Sequence, residues 1–406
     1  KTGKTNKLNF PAEFVSEIEG ITTGGGSTPA VEIQPSDVNF FDYDGTLIAS
    51  YTEEQAKALS ELPTPPEHDG LVFQGWNYTL EEVVANADAA DVGALYTTDD
   101  GATRLDIRIA SNERKNILIS LYQTKDAGVL IDWGDGSSER TIASTTCTVA
   151  HEYESAGLYK VKFFVDEDCE IYLPYLKNTL SLNNAAIYAT QLEAVYAGDK
   201  VTGIGNSSYK KTYGLKKIAM SKDIKNFGTE TFYNSGIRYI TIPPAITKIT
   251  GDMFDNCTCL KNISLPVSVV TIDTNAFYGC WRLERIIIKH VTNPGSYAFY
   301  ENYNLKKISF NSEVSYISNY ICRMCASLVE AEFLGNVKTF YDGALQYCSS
   351  LKKLDLSHCT AVPSLQSGQA LSDIPSDLQI LVPAALADEW KAATNWTTLA
   401  DKIVGV

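Results

Sequence analysis

The chain has 406 residues, a mass of 44.5 kDa and a formal net charge of −15. That length exceeds one ordinary compact core, so several domains or an elongated repeat array are expected. With 44% hydrophobic and 20% charged residues, the composition excludes a wholly disordered or collagen-like chain. The charge is uneven. Residues 1–172 hold 12 Lys+Arg and 30 Asp+Glu, a balance of −18, whereas residues 173–406 hold 22 and 19, a balance of +3. The two halves are therefore built differently, and the acidic one lacks the clustered Lys and Arg that phosphate neutralisation needs. No apolar run approaches the roughly 18–20 residues of a membrane span, so the chain is expected to be soluble.

The sequence opens on Lys1. A preceding signal peptide or lipid anchor is expected, and any membrane attachment would come through it. Residues 1–35 read as leader and linker, with Gly24-Gly25-Gly26-Ser27-Thr28-Pro29 as a flexible joint. Residues 36–102 read as a small mixed α+β module. Thr52-Glu53-Glu54-Gln55 is a capping box opening a helix to about Leu62, which Pro63, Pro65 and Pro66 then stop. The stretch from Gly70 to Trp76 reads as part of a β-meander.

Within this module, Asp42-Tyr43-Asp44-Gly45-Thr46-Leu47 resembles the signature of haloacid dehalogenase-type phosphatases. That resemblance would make Asp42 a nucleophile and Asp44 a general acid/base beside Mg²⁺, with Asp99-Asp100 as a later acidic pair. The context opposes it. No series of βαβ units follows, and the plain reading is an Asp44-Gly45 hairpin turn. The stretch resembles more closely the "YDGT" modules that precede repeat regions in bacterial surface proteins.

Residues 103–172 alternate as strands, over Arg104–Ile109, Asn116–Leu121, Val129–Trp133 and Gly157–Val165. Trp133-Gly134-Asp135-Gly136-Ser137 and His151-Glu152-Tyr153, followed by Gly157, Tyr159 and Val161, resemble the PKD domain, an immunoglobulin-like β-sandwich. The resemblance implies structural roles: glycines for the turn, Trp133 in the core. Asp132 and Asp135 either hydrogen-bond their own turn or contribute to a Ca²⁺ site.

A repeat dominates the rest. Leu192, Leu215, Ile237, Leu260, Leu283, Leu305, Leu328 and Leu351 recur at intervals of 22 or 23 residues. Apolar residues follow mostly at +3 and +5, as in Leu260/Ile263/Leu265 and Leu351/Leu354/Leu356, which is strand periodicity. A second core slot lies six residues before most openers, at Phe254, Phe277, Phe299, Cys322 and Leu345. One such coil cannot bury its own apolar face, so the coils must stack. The expected fold is mainly β with some α: a leucine-rich-repeat solenoid of about eight 23-residue coils over residues 173–406. Units such as Ile263-Ser264-Leu265-Pro266 … Ala276-Phe277-Tyr278-Gly279-Cys280 resemble the BspA-like leucine-rich repeat of bacterial cell-surface proteins. Leu378–Pro383 reads as a last strand. The helix from Ala384 to Thr394 with Asn395-Trp396 resembles the terminal cap of that family.

There are nine cysteines, so at least one is unpaired or intermolecular. Cys257, Cys280, Cys325 and Cys348 share one slot, three residues before the opener, and are expected to be interior thiols. Cys322-Arg323-Met324-Cys325 is formally a C-x-x-C, but its two thiols fill two core slots of one unit. No metal or other cofactor is expected.

The side chains at +2 and +4 point away from the core. The +2 row, Lys217, Tyr239, Asn262, Arg285, Lys307, Glu330 and Lys353, is the candidate ligand-binding face. The family resemblance implies a non-enzymatic, extracellular or cell-surface protein that adheres to host, matrix or other cells through a protein ligand. Alternatives are a glycan-binding surface protein using exposed tyrosines such as Tyr239, and a Mg²⁺-dependent phosphatase using Asp42 and Asp44. No nucleic-acid partner is expected.

Overall fold

The computed structural model describes residues 37–109, 116–142, 144–166, 171–177 and 190–406. The leader, residues 1–35, and Cys169 lie outside the described residues. The module begins with β1 (Val38–Phe41) and β2 (Leu47–Tyr51), an antiparallel hairpin closed by Asp42 N to Thr46 O at 2.9 Å. Helix α1 (Glu53–Lys57) starts on the Thr52/Gln55 capping box but ends sooner than expected. Next come β3 (Leu71–Trp76), helix α2 (Leu80–Ala85) and β4 (Ala90–Thr98). The sheet order is β2-β1-β4-β3, with β1 and β4 parallel. This is a crossover rather than the expected meander. The connection from β2 to β3 carries the chain from one edge of the sheet to the other, and a second capping box, Thr79 with Glu82, starts α2 between the antiparallel neighbours β3 and β4.

Beyond it lie β5 (Thr103–Ile109), β6 (Asn116–Ala127), β7 (Val129–Asp132), β8 (Ser138–Arg140), β9 (Ser144–Glu152), β10 (Gly157–Val165) and β11 (Ile171–Lys177). They distribute over two sheets. The solenoid's first strands, β12 (Thr190–Tyr196), β13 (Val201–Ile204), β14 (Lys217–Ala219) and β15 (Asn226–Phe227), join those same sheets. One sheet runs β14-β12-β5-β10-β7-β8, the other β15-β13-β11-β6-β9. The strand layers and the repeat share sheets: β12 pairs antiparallel with β5 and parallel with β14. One core runs from Leu95 and Leu105 to Ile403. In the turn before Ser137, Gly134 has φ +76°, and a Cβ there would lie 2.5 Å from Lys160 O. Asp132 accepts from Gly134 N and Asp135 from Ser137 N, each at 2.9 Å, so both carboxylates brace their own turn.

From β14 and β15 onward most coils contribute a short strand to each of two series of parallel ladders. Along the interior, Phe232, Phe254, Phe277 and Phe299 stack at centroid spacings of 5.4, 5.2 and 5.6 Å with nearly parallel rings. That spacing follows the roughly 4.8 Å separation of paired strands. The thiols line up too. Cys257, Cys280, Cys325 and Cys348 are buried, and each donates to a carbonyl of the preceding coil: Phe232, Phe254, Phe299 and Cys322, at 2.9, 3.1, 3.1 and 3.2 Å. Asn302 takes the same slot between them and donates to Phe277 O at 2.8 Å. The solenoid has about nine turns. Past the expected last strand, Ile403–Gly405 adds a further edge strand, pairing parallel with Gln379–Val382. Between these two strands a short helix, α3 (Ala387–Ala392), and buried Trp390 and Trp396 cover the core.

On the turn side, Asp255 is buried beside Asp252 and Glu230, and its pKa rises from 3.8 to about 7 through burial first and then these like charges. Between about pH 4 and 7 the folded chain keeps a proton that the unfolded chain releases. Stability from this group is therefore lost as pH rises through that window. Asp255→Asn should match the parent near pH 4 and be more stable at pH 8, by a few kcal/mol at most at about 1.4 kcal/mol per pKa unit. Denaturant melts at both pH values check this.

Candidate binding face

In the first ladder, side chains at +2 and +4 leave the sheet on its outer side. The first positions of this face are covered. The module's sheet lies on them, with β4 crossing next to β14 and the strands Tyr239–Thr241 and Asn262–Ser264. The fit depends on small groups. Ala219, Thr241 and Ser264 occupy the +4 row, and a Cβ on Gly93 of β4 would lie 2.2 Å from Thr241 Oγ1. Polar groups then interlock. Asn77 Nδ2 donates to Ser264 Oγ at 2.8 Å and Ile242 O at 3.1 Å, while its Oδ1 accepts from Gly93 N. Tyr78 donates to Leu265 O at 2.8 Å, and Ser264 donates to Asp91 O.

The expected ligand residues therefore divide. Lys217 pairs with Asp44 at 3.2 Å. Tyr239 is only 3% exposed, its ring 5.4 Å from Phe41. Arg285 Nε meets the buried Asp91 at 3.1 Å, and its Nη2 donates to Asp37 O at 2.8 Å. Burial raises the Asp91 pKa while Arg285 opposes the rise. Asn262 is half-buried in the covered stretch. The expectation that Tyr239 and Arg285 meet an outside ligand is corrected: both are taken by this chain's own module. Tyr239 is no stacking platform.

Lys307, Glu330 and Lys353 remain on the open part. Glu330 bridges the two lysines at 3.0 and 2.8 Å, Lys353 also reaches Asp355 at 3.2 Å, and Ser309 donates to Glu332 at 2.7 Å. Burial works against ionisation, yet hydrogen bonds from Lys353 and Lys307 hold Glu330 below its ordinary pKa. At the border, residues 285–288 form no ladder pairing among the described residues. The resulting groove, about 550 Å³, runs between Asp88 of the module and Lys307, Glu332 and Leu334, with half-buried Ile287 on its wall. The anchors Asn77, Tyr78, Asp91 and Gly93 were missed in the sequence. The available signal was the +4 row, small in the first coils and acidic at Glu332 and Asp355.

The phosphatase residues are otherwise engaged. Asp42 is 3% exposed, accepts from Tyr43 N at 2.8 Å and lies 2.7 Å from His68 Nε2. Asp44 accepts from Thr46 N at 3.1 Å as the turn residue. Among the described residues, no group of three or more His, Cys, Asp or Glu could hold a metal ion. Both carboxylates lie in the turn of the β1–β2 hairpin, in a mixed sheet whose one parallel pair is β1 with β4.

Residues 169–260 and 228–352 match the model of the BspA type leucine rich repeat region, in 6 copies. The repeats of this chain are similar to that family. No curated protein matches. Among solved structures, a leucine rich repeat protein of T. pallidum is 20% identical, over 39% of this chain and 65% of its own, with TM-score 0.30. A leucine rich cell surface protein of Faecalibacterium prausnitzii A2-165 is 18% identical, over 47% and 74%, with TM-score 0.23. A leucine-rich repeat protein of Bacteroides ovatus ATCC 8483 is 21% identical, over 46% and 68%, with TM-score 0.23. The chain thus spans just under two thirds of the first of these. Among the described residues, no helix is long and apolar enough to cross a membrane.

Arg285→Ala would leave Asp91 buried and uncompensated, a loss of about 3–5 kcal/mol. Hydrogen exchange should then rise across β1 and β4. Pairing it with Asp91→Leu should restore much of the protection. With Mg²⁺ and p-nitrophenyl phosphate, the parent and Asp42→Asn should both hydrolyse at the blank rate.

Proposed function

We propose that this is a non-enzymatic interaction protein acting outside the cell, and that the open face from Lys307 to Lys353, with its adjoining groove, takes a protein partner. One observation carries the reading. The module occupies the start of the face, and where it ends the ladder breaks and leaves a concavity. Ile287 and Leu334 present apolar surface there, ringed by Lys289, Lys307 and Glu332. An apolar centre within a charged rim is the usual anatomy of a protein interface. The alternating signs of Lys307, Glu330 and Lys353 favour a partner of matching pattern over a uniformly charged polymer. The likeness to BspA type repeats supports a cell-surface location and adhesion to host, matrix or other cells.

The test is surface plasmon resonance of the whole chain against immobilised extracellular-matrix proteins and intact host cells. The parent should bind at least one of these, and Leu334→Asp should weaken binding about tenfold or more. Binding indifferent to Leu334→Asp and Lys307→Glu would refute the proposed face.

A further inference from the structure

A second concavity, about 390 Å³, lies away from the open face, where the module, the strand layers and the first coil meet. Strand register builds its floor. On β5, Arg104 and Asp106 alternate outward on one side. Across the sheet, Lys160 of β10 is the register partner of Asp106, and Tyr196 of β12 is the partner of Arg104. The module supplies the opposite wall. Tyr43 lies edge-on to His68 with centroids 5.0 Å apart, and to Tyr196 at 6.3 Å.

The polar groups of this floor are not equivalent. The terminal nitrogens of Arg104 are engaged: they donate to Gly70 O at 3.0 Å and pair with Asp99 and with Asp100 at 2.7 Å, while its buried Nε has no partner among the described residues. Asp106 and Lys160 are not so engaged. They face each other across the strand pair, yet no ion pair within 4.0 Å closes between them among the described residues. Asp106 has one hydrogen bond, from Tyr196 Oη at 3.4 Å. Burial raises its pKa above the ordinary carboxylate value, against the pull of Lys160. A half-buried carboxylate with a spare oxygen seeks donors, and a neighbouring ammonium seeks lone pairs. Tyr43, Tyr196 and Leu71 add C–H and ring surface on two sides.

The geometry points to a carbohydrate-binding pocket that receives one sugar ring of a glycan. Adjacent hydroxyls would bridge the two charged groups, one donating to Asp106 and its neighbour accepting from Lys160, while the ring's C–H face packs on Tyr196. A polyol satisfies both charged groups without adding net charge to the half-buried site. The volume falls in the range of small-molecule sites. This pocket is independent of the protein-binding face and stands or falls separately.

The whole chain should be titrated calorimetrically, and by saturation-transfer NMR, with methyl glycosides of glucose, galactose and mannose, with N-acetylglucosamine, and with free glycine and glutamate. At least one sugar should bind. Asp106→Asn and Lys160→Ala should each weaken it about tenfold, as loss of one charge-assisted hydrogen bond implies. Lys160 is exposed, so its variant tests the site even if Asp106→Asn alters folding. Leu334→Asp should leave sugar binding unchanged. Binding of none of the sugars, binding of the amino acids alone, or sugar binding indifferent to Lys160→Ala would each overturn the assignment.

Discussion

Every coil of this protein must find its missing partners in the next one. A turn of 22 or 23 residues has too little surface of its own to bury an apolar face, so its stability lies between coils. The described interior shows how that need is met. Phenyl rings stack face to face from Phe232 to Phe299, and a thiol or amide in each of several coils donates to the carbonyl behind it. The array needs both ends closed. At one end the strand layers share their sheets with the first coils. At the other, Trp390 and Trp396 lie over the last core positions.

The same logic explains why the outer face is not uniformly free. A flat strand surface with small side chains invites another sheet, and the module accepts. Its fit is polar as well as steric: Asp91 enters a buried site only because Arg285 meets it, and Asn77 satisfies groups on both sides. Covering the early positions shifts exposure toward the later coils, and it creates both borders at which concavities form.

Much of this was legible in the residues. Eight openers in register defined the solenoid, and the shared slot of Cys257, Cys280, Cys325 and Cys348 foretold an interior ladder. Asp132 and Asp135 behave as turn residues. What escaped was non-local. Periodicity shows that Tyr239 points outward but says nothing of what meets it, because the covering strand lies some 150 residues earlier in the sequence. The crossover in the module pairs β1 with β4, with Val38 opposite Ala90, and no local pattern marks so distant a pairing. The strand Ile403–Gly405 carries too few residues for a repeat signal, and its pairing comes from the solenoid's need for one more edge partner.

The Asn302 substitution in the thiol row has a chemical corollary. An amide can replace sulfur there because the slot asks for a proton to share with a carbonyl, not for a covalent bond to another cysteine. The seven cysteines from Cys257 to Cys359 are all unbridged, so reducing agents have nothing to cut in that part of the molecule. Oxidants are the hazard instead: turning one of these sulfurs into an acid would take away its hydrogen and force bulk into a sealed space.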